Sequence, residues 1–230
     1  MSVKIDYSRD SLFDELGLIR LRESYMRAEE KSPQERLAFV AEAFGSDEAH
    51  AQRIYEYASK HWLSFSTPVL SFGRTKKGLP VSCFLSYMED SAEGLVNTIS
   101  EVNWLSMLGG GVGMHLGIRS ADEKSVGIMP HLKVYDAACL AYRQGTTRRG
   151  SYSAFLSVDH PDIIQFIEMR KPTGDQHMRT LNLHHGINIT DAFMKKVEAS
   201  MLDSEADASW PLMDPHSVKV VEIASFTAFC

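Results

Sequence analysis

The sequence predicts an α/β protein, with a helical N-terminal domain followed by short apolar strands that alternate with helices. Three observations lead there. Helix-start and helix-stop signals crowd the first 62 residues. From Val81 onward the apolar pattern shortens to strand-length runs separated by helix-length segments. A glycine cluster, Gly109-Gly110-Gly111-Val112-Gly113, opens one of those runs. Strand, helix, strand of this spacing implies parallel pairing through crossover helices, a fold whose post-strand loops collect ligand-binding residues.

Taken in order, Ser32-Pro33-Gln34-Glu35 supplies an N-cap serine, a proline at the first helical position and a glutamate placed for a capping box. The helix Pro33–Phe44 then stops at Gly45. Ser46-Asp47-Glu48 starts a second helix reaching to Trp62, with Ile54, Tyr57 and Ala58 on one face. Further helices are expected at Ser91–Leu108, His131–Arg143, Pro161–Arg170 and Asp191–Met201. Strands are expected at Val81–Met88, Val112–Ile118, Tyr152–Val158, Leu183–Ile189 and Val218–Ile223. This places domain boundaries at 1–78 for the helical part, 79–213 for the strand–helix part and 214–230 for a divergent tail.

Composition excludes several classes. The net charge of −6 argues against a general nucleic-acid or anionic-membrane surface while leaving room for a local basic pocket. No apolar run approaches bilayer-spanning length, and MSVKIDYSRDSLFDEL lacks the apolar core of a signal peptide. Three cysteines, at 83, 139 and 230, make neither a disulfide framework nor a zinc pattern, which fits reducing cytoplasm.

Cys83 begins the run Cys83-Phe84-Leu85-Ser86-Tyr87-Met88 beside Pro80, where a side chain is exposed in a cleft rather than buried in mid-sheet. It makes sense as a redox thiol if its partner lies elsewhere, and otherwise as a small buried hydrophobe. Cys139, inside an amphipathic helix, reads as core. The triple glycine has neither the Lys-Ser/Thr of a P-loop nor a following helix, so a dinucleotide fingerprint is excluded and close backbone approach, to a ligand or a neighbouring strand, remains. The polar segment Lys171–Arg179 is either a solvated connection or a base-reading loop. Arg119, Arg143, Arg148 and Arg149 add positive charge suited to a polyphosphate. His184 and His185, adjacent on a strand, point to opposite faces and do not make a metal site.

Ser66-Thr67-Pro68, Ser82-Cys83, Glu89-Asp90-Ser91, Gly109–Gly113, Ile118-Arg119, His160-Pro161-Asp162-Ile163 and Lys171–Arg179 stand in the order and spacing of ribonucleotide reductase large subunits. The chain resembles the class I type over roughly residues 10 to 213. The resemblance implies a helical domain followed by the first half of a ten-stranded α/β barrel, with the complementary half of the large subunit on a second chain. An inactive remnant of an interrupted reductase gene, or a nucleotide-binding protein without catalysis, are the alternatives.

By position, Cys83 resembles the barrel-strand cysteine that reduces the ribose and ends as half of a disulfide. Thr67, Ser82 and Gly111 resemble substrate contacts at the diphosphate end. Asp90 and Ser91 resemble the start of the allosteric effector site for ATP or a deoxynucleoside triphosphate, with Arg119 its phosphate-binding arginine and Lys124 the candidate second basic residue. Gly174, Gln176 and Arg179 resemble the specificity loop. No cofactor is implied on this chain itself. The implied partners are a small subunit that supplies a radical from a metal centre, a second copy of the chain, and a thioredoxin- or glutaredoxin-type reductant. The thiyl-radical cysteine and the partner of Cys83 fall beyond Cys230, and the N-terminal cone of an overall-activity site is absent.

Overall fold

A computed structural model describes residues 2–73, 78–142, 150–203 and 205–229. The chain divides into two units, one built on residues up to Ser82 and one beginning at Cys83.

The first unit is helical: α1 (Glu15–Ser24), α2 (Pro33–Phe44), α3 (Glu48–Ser59) and α4 (Thr67–Phe72), after a 3-10 segment at Tyr7–Leu12. Ser32 caps α2 by accepting from Gln34 N, with Pro33 in the first turn. Glu35 reaches back one residue further than in a capping box and accepts from Lys31 N at 2.8 Å. The second predicted helix ends at Ser59, three residues short of Trp62, because the backbone turns at His61 (φ 61°). The core joins Leu37, Ala38 and Ala41 of α2 to Ala51, Tyr55 and Ala58 of α3. Arg36, fully buried, pairs with Glu30 and donates to the carbonyls of Leu70 and Ser71, which offsets the cost of burying its charge.

The second unit is a four-stranded parallel sheet, β1 (Cys83–Met88), β2 (Gly111–Leu116), β3 (Ser151–Ser157) and β4 (His184–Asn188), in that spatial order. The crossovers carry α5 (Ala92–Met107), α6 (Ile128–Ala141) and α7 (Ile163–Glu168), and α8 (Asp191–Leu202) follows β4. Parallel pairing of all four strands agrees with the strand–helix alternation. One sheet face is sealed by helices: Met88, Val112, Met114, Leu116, Tyr152, Ala154 and Leu156 are buried in one core with Val102, Leu132, Tyr135 and Phe166.

The first two glycines of the cluster serve this packing. Gly109 (φ 82°) and Gly110 end α5 with the paired bonds Gly109 N to Ser106 O and Gly110 N to Leu105 O, a Schellman stop. A Cβ on Gly110 would lie 2.7 Å from both Leu105 O and the Phe84 ring.

Several boundaries differ from expectation. The first strand starts at Cys83, not Val81. The helix expected at His131–Arg143 begins at Ile128, after Gly127 (φ 74°); its expected end at Arg143 lies outside the described residues, as do Arg148 and Arg149. The expected helix Pro161–Arg170 is reduced to α7 because His160 and Asp162 hold a turn. A strand unforeseen in the sequence, β5 (Ser209–Met213), pairs antiparallel with β6 (Val220–Ser225), so the segment set apart at 214–230 completes a hairpin begun before it. Phe193 of α8 packs edge-on against Trp210, Phe226 and Phe229 of that hairpin.

Candidate functional site

The strand alternation aims one set of side chains at the face opposite the helices. Cys83, Leu85 and Tyr87 of β1 occupy it, with Gly111, Gly113 and His115 of β2 in register beside them. Ser153, Phe155 and Ser157 of β3 continue the row, and His184, Gly186 and Asn188 of β4 end it. This open face is layered. At the strand starts lie Cys83, exposed, and Gly111. In the middle the Phe155 ring occupies the space left by two glycines: a Cβ at Gly113 would approach it to 3.1 Å and one at Gly186 to 2.4 Å. At the strand ends Tyr87 stacks on His115 with centroids 5.5 Å apart, and Asn188 Nδ2 donates to His115 Nδ1 at 2.8 Å. Burial, and then His160, hold the His115 imidazole below its usual pKa.

The predicted substrate residues divide between the units. Thr67 begins α4 in the first, its hydroxyl 3.3 Å from Tyr25 OH, and Ser82 is the last residue of that unit. Cys83 and Gly111 belong to the second and face each other across β1 and β2. Cys139 is buried in the core on α6, its thiol against the carbonyls of Asp136 and Asn182.

The predicted effector residues also divide. Asp90 follows the C-terminal end of β1, and Ser91 caps α5 by accepting from Gly94 N at 2.9 Å. Arg119 follows the end of β2 and reaches Asp90 Oδ2 at 3.0 Å. Its Nε lies 2.9 Å from Asp122 Oδ2 but off line for a hydrogen bond, so that this buried N–H and the Ser120 hydroxyl beside it are left without a hydrogen-bond acceptor. Asp122 Oδ1 accepts from the backbone N–H groups of Lys124 and Ser125, holding the loop and keeping the carboxyl below the usual carboxylate range. Arg119, Asp122, Glu123 and Lys124 line one surface pocket.

Gly174, Gln176 and Arg179 are elsewhere. Their loop leads into the N-terminal end of β4, whereas Asp90 and Arg119 stand past the C-terminal ends of β1 and β2. Its polar groups are turned on the loop itself: Arg179 Nε donates to Thr173 O at 2.9 Å and Gln176 Nε2 to Pro172 O at 3.4 Å. Gly174 (φ 89°) lies under the Arg179 guanidinium, where a Cβ would approach to 2.6 Å. Lys133 of α6 fastens the loop by donating to the carbonyls of Gln176 and Arg179. Within one chain, then, this loop and the Asp90–Arg119 pair lie toward opposite ends of the parallel strands.

Sequence reasoning missed His160, although its motif was noted. Its ring is buried in the turn after β3, with Nε2 at 2.9 Å from Ile118 O, and it lines a cleft of about 170 Å³ with Tyr87, His115, Asp159 and Asp214.

A model described as the ribonucleotide reductase barrel domain matches residues 81–228, through nearly all of the segment read as a divergent tail, and one described as the ribonucleotide reductase all-alpha domain matches residues 11–78. The ribonucleoside-diphosphate reductase large subunit of Invertebrate iridescent virus 6 is 60% identical over 221 residues, covering 96% of this chain and 23% of that protein. The corresponding large subunit of Invertebrate iridescent virus 3 is 58% identical over 196 residues, 85% of this chain and 31% of that one. Among solved structures, the Actinobacillus ureae class Id ribonucleotide reductase alpha subunit superposes with a TM-score of 0.69 at 25% identity, covering 86% of this chain and 36% of that chain. The chain thus spans between 23% and 31% of the length of the two viral relatives. No helix among the described residues is long and apolar enough to cross a membrane.

Proposed function

Because the chain belongs to the ribonucleotide reductase family, we propose that it contributes the first strands of a large-subunit barrel to the reduction of ribonucleoside diphosphates to deoxyribonucleotides for DNA synthesis. The observation that carries this reading is Cys83, exposed at the start of β1 on the face that the helices leave open. In the proposed reaction Cys83 and a second thiol give up two electrons and two protons and close a disulfide, and the ribose 2′-oxygen leaves as water. A thioredoxin- or glutaredoxin-type dithiol then restores the pair. Cys139 is no candidate for the second thiol, since it is buried on the helix side of the sheet. The second thiol and the thiyl-radical cysteine come from the complementary C-terminal portion of the large subunit, and the radical comes from a metal-containing small subunit. Gly111, in register with Cys83 on the open face, contacts the substrate in this proposal.

Asp90, Ser91, Arg119 and Lys124 form the effector site for ATP or a deoxynucleoside triphosphate. Its support is the Arg119 Nε–H and the Ser120 hydroxyl, buried donors without a hydrogen-bond acceptor that a phosphate would engage. The loop of Gly174, Gln176 and Arg179, fastened to α6 by Lys133, is the specificity loop in this proposal. The exposed apolar residues Val96 and Trp104 of α5 and Val134 and Leu140 of α6 pack on a second copy. Host cytoplasm is the compartment this reading implies.

The test mixes the purified chain with the complementary portion, a radical-generating small subunit and a dithiol, and measures deoxynucleotide formed. The mixture turns over, the chain alone does not, and Cys83→Ser abolishes steady-state turnover while assembly persists. Turnover by the chain alone, or full activity of the Cys83→Ser mixture, would refute the reading.

A further inference from the structure

The motif His160-Pro161-Asp162-Ile163 has no part in the function proposed so far, yet its histidine is buried and hydrogen-bonded at both ring nitrogens. His160 is 3% exposed. Its Nδ1 accepts from Asp162 N–H at 3.0 Å, so in the neutral ring the proton sits on Nε2, which donates to Ile118 C=O at 2.9 Å. The imidazole is a rigid strut between two main-chain segments, the turn after β3 and the extension after β2. Ile118 immediately precedes Arg119.

That placement matters because the chain leaves the sheet here. Beyond β2 the ladder closes with Gly117 N donating to Met88 O at 3.0 Å, and the loop beyond closes with Asp122 N donating to Ser125 O at 2.9 Å. Between these two anchors the Ile118 carbonyl rests on His160. The turn that carries His160 is itself braced: Asp159 accepts from Trp210 Nε1 at 2.7 Å, its carbonyl accepts from Met213 N, and Val158 N donates to Asn188 O at the end of β4. A guanidinium that must meet both Asp90 and a phosphate depends on where its own backbone is held.

We propose that His160 is the positioning residue of the effector site: through its Nε2–H bond to Ile118 O it fixes the backbone from which Arg119 meets a nucleoside triphosphate. The inference rests on the effector reading of Arg119. It acts on triphosphate binding and not on Cys83, which lies at the opposite end of β1.

The test is calorimetric titration of dTTP into the full chain and its variants. Glutamine places an amide where Nε2 stands and keeps a donor for Ile118 O, whereas phenylalanine fills the space without one and asparagine stops at the Nδ1 position. His160→Gln therefore binds dTTP close to the unmutated chain, and His160→Phe binds about tenfold more weakly, the loss of one buried hydrogen bond. Should His160→Phe fail to fold, the contrast between His160→Gln and His160→Asn makes the same comparison. A purely structural role would weaken binding equally whether or not Arg119 is present. A positioning role predicts that adding the His160 substitution to Arg119→Ala costs no further affinity. Additive losses, or His160→Phe binding like the unmutated chain while Arg119→Ala does not, would overturn the role of His160. If the unmutated chain fails to bind dTTP, or Arg119→Ala binds it undiminished, the effector reading itself falls and His160 with it.

Discussion

Acid should loosen the second unit through His185. Its ring stacks on Phe166 at a centroid distance of 4.1 Å, and Nδ1 lies 3.0 Å from Phe166 O, which fixes the proton on Nδ1 and leaves Nε2 to accept from the Thr180 hydroxyl at 2.9 Å. In the neutral form both ring nitrogens are satisfied. Burial pulls the pKa from 6.5 down to about 4, with the Phe166 carbonyl opposing the fall only in part. The sign follows: above pH 6.5 the ring is neutral in folded and unfolded chains alike, and its contribution to stability is intact. As pH falls below 6.5 the unfolded chain takes up a proton that the folded chain refuses, and stability drops by about 1.4 kcal/mol per unit. The loss levels off near pH 4, after about 3 kcal/mol. Burial shifts His115, His131 and His160 in the same direction, so the His185 share must be read as a difference. His185→Asn keeps a donor to Phe166 O but cannot titrate. Denaturant midpoints measured from neutral pH to about pH 4 should fall less steeply in the variant than in the unmutated chain. Parallel pH profiles, or an NMR titration of His185 centred near its ordinary value, would refute the reasoning.

Two further outcomes are expected. Gly110→Ala forces a methyl against the Leu105 carbonyl and the Phe84 ring, neither of which can withdraw, and should lower stability by about 1–3 kcal/mol in urea unfolding; an unchanged midpoint would show that the α5 stop is slack. Trp104→Glu puts a charge on the exposed apolar face of α5 and should turn a self-associating chain into monomers in sedimentation, with the thermal midpoint little changed; a dimer that survives would move the contact off that face.

Much of the fold was legible because its signals are local. Ser32 caps the helix it was expected to cap, and the apolar residues Val112, Met114 and Leu116 gave the second strand its buried face. β5 escaped notice because Pro211 interrupts a short strand that gains its partner only from β6. Placement was legible where residue chemistry and strand position coincide, as with Cys83 at the start of β1 and the paired Asp90 and Arg119 past the strand ends. At Lys171–Arg179 composition shows which donors and acceptors a loop owns but not which way they turn. Arg179 and Gln176 spend theirs on Thr173 and Pro172 carbonyls. His160 failed for the opposite reason: its partner, the Ile118 carbonyl, belongs to a backbone that has the same chemistry at every residue.

The Phe155 ring lying over Gly113 and Gly186 makes three positions on three adjacent strands share one volume. Drift at any one of them is therefore constrained by the other two. A methyl gained at Gly186 demands a smaller side chain at 155, and shrinking 155 opens both glycines to substitution at once. Relatives that have moved at one of these positions should have moved at a second, in the compensating direction. For a designer repacking this face, the three positions are one choice, and the order matters: position 155 must shrink before a side chain is added at 186.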